Sequence, residues 1–330
     1  MADGLALSAS ASFSGKFSAG FMKTHDGLRL RYALFEPEAG LWRGTVVAVQ
    51  GRSEFIEKYS EIVGELNEAG FAVATLDLRG QGASDRVSED PYAGHVEAFS
   101  DFTSDVSQFV DALVRPKLKG PYFLMGHSLG GLIALSLAAS GKSHFDGLLL
   151  LAPFVALHRR QLPEPLIRLL ASSLSVLGLS RRPALPYRPP SSFEDQFLTS
   201  DRQRYERNLL LAKDDPPYLL GTPTFGWLRA CLNETARLRK PLSLKQVKMP
   251  VLLIAPGHDV LVPFSEQVAT GCRLNARILA LSGAGHDILQ ERDEMRDRAV
   301  AAILMFLDAQ ALNHSECAAP RREGPVSQRQ

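Results

Sequence analysis

The 330-residue chain sets 37 lysines and arginines against 36 aspartates and glutamates, a formal balance of +1. Such neutrality excludes a nucleic-acid binder held by phosphate contacts, and 45% hydrophobic with 22% charged residues excludes a wholly disordered chain. Cys231, Cys272 and Cys317 are odd in number and far apart, so they suit a reducing, cytoplasmic compartment rather than a disulfide framework or a CxxC site.

Residues 1–20 read as a flexible leader: Asp3 precedes any basic residue, and the stretch to Ser14 is rich in Ser and Ala rather than apolar. Residues 21–35 hold two short apolar runs around His25-Asp26-Gly27, and an Asp-Gly step in that setting signals a hairpin. The β-branched run 45–49 ends at Gln50-Gly51 and predicts a strand, followed by a helix over 59–69 and a strand over 71–76. A helix over 99–114, a strand over 122–125, a helix over 129–139 and a strand over 148–151 continue the alternation. Short, fully apolar strands separated by helices imply an α/β fold with a mostly parallel sheet covered on both faces.

That alternation breaks after Pro153. Residues 155–240 read as an inserted helical cap, with a leucine-rich amphipathic stretch (166–179), a Pro/Arg-rich segment (181–190) and a helix (224–238). Strands at 251–254 and 276–281 and a helix over 295–307 resume the pattern, so the core is expected to span 21–154 and 241–310. The polar residues 311–330 read as a flexible tail. No apolar run approaches the roughly 20 residues that a bilayer span needs.

Gly126-His127-Ser128-Leu129-Gly130 matches G-x-S-x-G directly after a buried strand and directly before a helix. A serine on such a sharp turn takes a strained backbone conformation that lifts its hydroxyl clear of the sheet, while the flanking glycines let strand and helix approach. The Leu129 N–H then lies at a helix N-terminus, where donors and dipole favour a developing oxyanion. A serine needs a base to take its proton and a carboxylate to orient that base. Asp259 follows the strand 251–254 through Ala255-Pro256-Gly257-His258, and His286 follows the next strand through Ser282-Gly283-Ala284-Gly285. Ser128, Asp259 and His286 thus occur in the order of an α/β-hydrolase triad, with His258 and Asp287 as adjacent alternatives and His127 in a supporting place. A second oxyanion donor is expected from the loop after the first parallel strand, at the Arg52 backbone N–H. The side chains of Arg52 and Glu54 have two readings, substrate contact or a mutual ion pair, and Trp227 in the insertion is a further candidate for the substrate.

The glycine-containing turn at residues 77–85 fails the dinucleotide pattern because Asp85 stands where the third glycine belongs, and neither a P-loop nor H-E-x-x-H occurs. No cofactor and no metal are expected.

These features resemble the α/β-hydrolase superfamily, and within it the bacterial lysophospholipase and monoacylglycerol lipase group, also called serine aminopeptidase-like hydrolases. Residues 51–59 (GRSEFIEKY) are similar to the oxyanion loop of lysophospholipases, residues 77–84 (DLRGQGAS) to a D-x-R-G-x-G-x-S turn, and residues 222–227 (TPTFGW) to the lysophospholipase cap. Gln50 departs from the pattern, since many relatives carry His there. The resemblance implies a helical lid and a serine carboxylester hydrolase acting on a small-molecule or lipid ester, a lysophospholipase or monoacylglycerol lipase. A short-chain esterase, an aminopeptidase, a perhydrolase and a non-catalytic binding protein are the rival readings. The leucine-rich lid with Arg159, Arg160, Arg181, Arg182 and Arg188 implies peripheral contact with an inner membrane face or an anionic head group.

Overall fold

The computed structural model describes residues 13, 15–37, 41–142, 144–158, 162–186, 192–212 and 218–318. The hairpin comes first: β1 (Lys16–Lys23) and β2 (Arg29–Glu36) pair antiparallel across a turn closed by the Thr24 N–H donating to Leu28 O at 2.8 Å. Then follow β3 (Gly44–Val49), α1 (Ser60–Glu68), β4 (Phe71–Leu76) and α2 (Phe99–Phe109), which runs through a π turn (Val110–Val114) into the short α3 (Arg115–Lys117). β5 (Tyr122–His127), α4 (Leu129–Ala139) and β6 (Gly147–Leu151) complete the first part of the sheet.

Between β6 and β7 (Val251–Pro256) stand α5 (Glu164–Leu174) with a π turn at Ser175–Leu179, α6 (Arg202–Leu211) and α7 (Phe225–Leu238). α8 (Phe264–Arg273), β8 (Arg277–Leu281) and α9 (Asp293–Ala318) close the fold. Arg159, Arg160 and Arg188 lie outside the described residues.

The eight strands form one sheet in the order β1-β2-β4-β3-β5-β6-β7-β8. β2 is antiparallel to both neighbours, and the pairings from β4 to β8 are parallel. The run from β3 to β7 is buried on both faces, one layer under α2, α4 and α7 and the other under α1 and α9. This burial explains why these strands are near-continuous Val, Leu and Ile rather than alternating. α4 (LGGLIALSLAA) is buried on every side, which its uniformly apolar sequence demands. The register sets Val49 beside Gly126 and His127 beside Leu151, so the loops after β3 and β5 leave the sheet at one edge, the carboxyl edge where α/β sheets place their sites.

Two boundaries differ from the expectation. β1 begins at Lys16, inside the expected leader, because eight register pairs with β2 and the packing of Phe17 on Phe35 (5.7 Å between centroids) recruit Ser18, Ala19 and Gly20 into the sheet despite their weak apolar pattern. α9 runs to Ala318, past the expected end of the core at residue 310, and His314 Nδ1 lies 3.2 Å from Asp146 Oδ1 near the sheet's other edge. The remainder of the expected leader (1–12 and 14) and tail (319–330) lies outside the described residues.

Candidate active site

Ser128 stands between β5 and α4 at φ 51° and ψ −112°, a left-handed conformation costly for a residue with a Cβ. The surrounding packing holds it there. A Cβ on Gly126 would sit 2.3 Å from Gly130 O, and one on Gly130 would sit 2.0 Å from Val49 O, so both elbow glycines are required by close backbone approach. The Ser128 N–H donates to Leu151 O at 3.0 Å, and Ser128 O accepts from the Leu132 and Phe154 amides, fixing the turn to β6.

The three predicted residues meet in one hydrogen-bonded chain. Ser128 Oγ–H donates to His286 Nε2 at 2.7 Å, and His286 Nδ1–H donates to Asp259 Oδ2 at 2.8 Å. Asp259 also accepts the Leu261 and Val262 amides on Oδ1 (2.8 and 2.9 Å) and Gln267 Nε2 on Oδ2 (2.8 Å). Burial pushes this carboxyl upward, but the imidazole and the two amides outweigh it and hold Asp259 below the ordinary carboxylate range. Asp259 is therefore ionised at neutral pH. The alternatives fall elsewhere: His258 is exposed, and the Asp287 carboxylate turns to Lys58 at 2.5 Å.

The loop after β3 bends back over the elbow. Gly51 N–H donates to Glu54 Oε2 at 2.5 Å, Gln81 Nε2 donates to Gly51 O at 3.1 Å, and Ser53 N–H donates to Gln81 Oε1 at 2.9 Å. Gln81 thus clasps both sides of Arg52, which lines a pocket with Ser128. This gives residues 77–84 their structural meaning. Asp77 accepts from the Ile56 and Ala83 amides (3.0 and 2.8 Å) and from Arg31 Nε (2.7 Å), and a Cβ on Gly82 would meet its carboxylate at 2.2 Å. Gln50 lies fully buried beneath, donating to Thr75 Oγ1 at 3.3 Å.

Two expectations are corrected. Glu54 does not pair with Arg52: at the wall of the pocket, its buried carboxylate accepts from Gly51, Tyr59 Oη (2.7 Å), Lys58 Nζ (2.6 Å) and His127 Nδ1 (3.0 Å). The Arg52 guanidinium instead donates to Gly221 O and lies 5.6 Å over the Trp227 ring. Trp227 is itself buried, packed on Phe154 in the core beneath α7, so it props the insertion and does not line the pocket.

Sequence reasoning missed Lys58 altogether. Its ammonium bridges Glu54 and Asp287, while His127 donates from Nε2 to His286 O at 3.1 Å and from Nδ1 to Glu54. Burial disfavours charge on the His127 ring, yet Glu54 and Asp287 outweigh it and raise the group to about 9. His127 is therefore an imidazolium, with both nitrogens donating. Glu54, His127 and Asp287 hold ligand atoms within 4.8 Å of one another, a grouping that could hold a cation, and the Lys58 ammonium bonds both of its carboxylates.

A pocket of about 350 Å³ opens over Ser128 and His286. Its apolar walls include Phe55, Leu209, Leu219, Leu220 and Leu261. One wall comes from α6, docked on the core by Arg204 (3.0 Å to Glu61 and 2.7 Å to Asp293), by Arg207 pairing with Glu61, and by Asn208 Nδ2 donating to Gln290 Oε1 at 2.8 Å. A serine at the N-terminus of α4 that is hydrogen-bonded to a histidine, beside a pocket with largely apolar walls, suits acyl transfer.

Residues 41–293 match the family model described as serine aminopeptidase, S33. Lysophospholipase L2 of Escherichia coli strain K12 is 32% identical over 284 residues, covering 80% of each chain. A probable lysophospholipase L2 of Haemophilus influenzae is 27% identical over 312 residues, covering 93% of this chain and 97% of that one. Among solved structures, a thermostable carboxyl esterase from Bacillus coagulans superposes with a TM-score of 0.74 at 21% identity, covering 90% of this chain and all of that one, a likeness of fold. The chain belongs to the serine aminopeptidase (S33) family of α/β hydrolases.

Proposed function

We propose that the protein hydrolyses carboxylic esters of monoacyl lipids through an acyl-enzyme on Ser128. The observation that carries this reading is the unbroken Ser128–His286–Asp259 chain opening on an apolar pocket of about 350 Å³. As Ser128 Oγ attacks the ester carbonyl, its proton passes to His286 Nε2, and Asp259 holds the resulting imidazolium. The Leu129 and Arg52 backbone amides hold the tetrahedral oxygen. Collapse expels the alcohol, which takes the proton from His286; water then attacks the acyl group with the same histidine as base, releasing the acid and free Ser128. The similarity to lysophospholipases L2 supports a lysophospholipid or monoacylglycerol substrate, and the elements between β6 and β7 serve as its cap.

The cap also presents Leu169, Val176, Leu177 and Leu185, each more than 60% exposed, beside Arg168, Arg181 and Arg182. A lipid surface fits such an apolar face with a basic margin, although no helix among the described residues is long and apolar enough to cross a membrane. Acyl-length and head-group dependence test the function. Each buried methylene contributes about 0.8 kcal/mol, so kcat/KM for p-nitrophenyl esters should climb roughly fourfold per carbon until the pocket fills, and lysophosphatidylcholine or monoacylglycerol should be turned over. A maximum at the acetyl ester, with neither lipid cleaved, would overturn the lipid reading.

A further inference from the structure

Three loops must keep one register for the proposed chemistry: the loop carrying Arg52, the elbow carrying Ser128 and the loop carrying His286. In each, a residue close by in sequence joins a single buried cluster at the wall of the pocket. Glu54 lies two residues from Arg52 and anchors the Gly51 amide at 2.5 Å; His127 precedes Ser128 and donates to His286 O at 3.1 Å; Asp287 follows His286. Lys58 Nζ lies 2.6 Å from Glu54 Oε1 and 2.5 Å from Asp287 Oδ2, its side chain only 11% exposed. Its own carbonyl accepts Gln290 Nε2 at 3.1 Å, a second tie to the segment after His286.

We propose that Lys58 is a positioning residue whose ammonium is the shared counter-ion locking the oxyanion loop to the loop of the catalytic histidine. The groups facing it are Glu54, Asp287, His127 and Tyr59. With the ammonium present, two carboxylates and two cations balance. Without it, Glu54 and Asp287 face each other with only the His127 imidazolium to compensate. Like charges confined that closely separate or take up a proton. Because Glu54 holds the amide just before Arg52, and Asp287 is bonded directly to His286, either response shifts the oxyanion donor relative to Ser128. Lys58 touches no reacting atom in this scheme. Its effect is on the alignment of groups that do, which places the cost in kcat for every ester and not in the recognition of one head group.

This inference rests on the ester-hydrolase reading, and wild-type turnover separates the two: a wild-type protein that cleaves no ester refutes that reading, whereas the variants address Lys58 alone. Lys58→Ala and Lys58→Met should lower kcat about 100-fold, the lower end for losing an oxyanion donor. KM should stay nearly constant, and the loss should be alike for p-nitrophenyl butyrate and monoacylglycerol. Ethylammonium at tens of millimolar should return roughly tenfold of the lost rate to Lys58→Ala, whose vacated stem leaves room for it, and none to Lys58→Met, whose stem fills that room. Wild-type kcat in the folded variants, a rise in KM confined to glyceryl or phosphoryl esters, or no recovery with ethylammonium in Lys58→Ala would each overturn the proposal. Should both variants fail to fold, Asp287→Asn reads the same tie from the other side: it keeps the Lys58–Glu54 pair, and a kcat loss of tenfold or more supports the lock, while unchanged kcat refutes it.

Discussion

Replacing Asp259 by asparagine should disable catalysis by reversing a proton, with little effect on the fold. Oδ1 of the native carboxylate accepts two backbone amides, from Leu261 and Val262. An asparagine must set its carbonyl oxygen there, because the opposite orientation would leave two buried donors unpaired at about 1–3 kcal/mol each. The new NH2 then takes the place of Oδ2, 2.8 Å from His286 Nδ1. It donates to that nitrogen, which drives the imidazole proton to Nε2 and points an N–H at Ser128 Oγ where a lone pair is needed. Gln267 also faces the NH2, but its Oε1 has no partner among the described residues, so rotating this amide supplies an acceptor at the expense of the long 3.3 Å bond from Nε2 to Val262 O. The same tautomer error in a serine-protease triad costs about 10⁴ in kcat, or ~5 kcal/mol of transition-state stabilisation. Stopped-time hydrolysis of p-nitrophenyl butyrate with thermal unfolding alongside is the assay. Turnover within about tenfold of wild type in a folded Asp259→Asn protein would refute the tautomer argument and the role given to Asp259.

Other consequences follow from the buried charges and the elbow. His127, raised to about 9 from an ordinary value near 6.5, adds stability that is fully present below pH 6.5 and is lost as pH climbs through 9. The unfolding free energy from urea titrations should therefore fall over that window by an amount on the order of 3 kcal/mol, and His127→Gln should flatten the profile; parallel profiles would contradict this. Arg31, with its side chain 1% exposed, donates to Asp77 at 2.7 Å and to Glu57 at 2.7 and 2.8 Å, so Arg31→Met removes the counter-charge from two buried carboxylates and should cost about 3–5 kcal/mol in urea unfolding. Gly130→Ala places a Cβ 2.0 Å from Val49 O and should abolish turnover, with a fall in melting temperature of several degrees or loss of soluble protein. Leu177→Asp, on a surface 74% exposed, should weaken co-sedimentation with anionic lipid vesicles while leaving turnover of a soluble ester intact.

How legible each part was depended on whether its determinants are local. The elbow announces itself within five residues because strain, close approach and strand-to-helix context fall on adjacent positions. The carboxyl edge of the sheet then places Asp259 and His286 by topology. Lys58 and His127 act through partners 229 and 73 positions away, and nothing local marks such contacts. The loop position of Glu54 suggests exposure, whereas donors three, four and five residues away in its own loop, together with the distant His127, bury it. α6 escaped notice because RQRYERNLLL lacks an apolar stripe. It docks through Arg204, Arg207 and Asn208, and a charged face held by ion pairs has the same sequence pattern as one left in water. Trp227 looked available for substrate because aromatic residues serve pockets and cores alike, and only its packing on Phe154 decides between them.

The most direct test asks whether Ser128 is the reactive nucleophile. A fluorophosphonate probe followed by intact mass and peptide mapping should place one adduct on Ser128 of the wild-type protein, leave Ser128→Ala unmodified, and label folded His286→Ala orders of magnitude more slowly. Equal labelling of wild type and Ser128→Ala, or an unreactive wild-type serine, would contradict the account at its base.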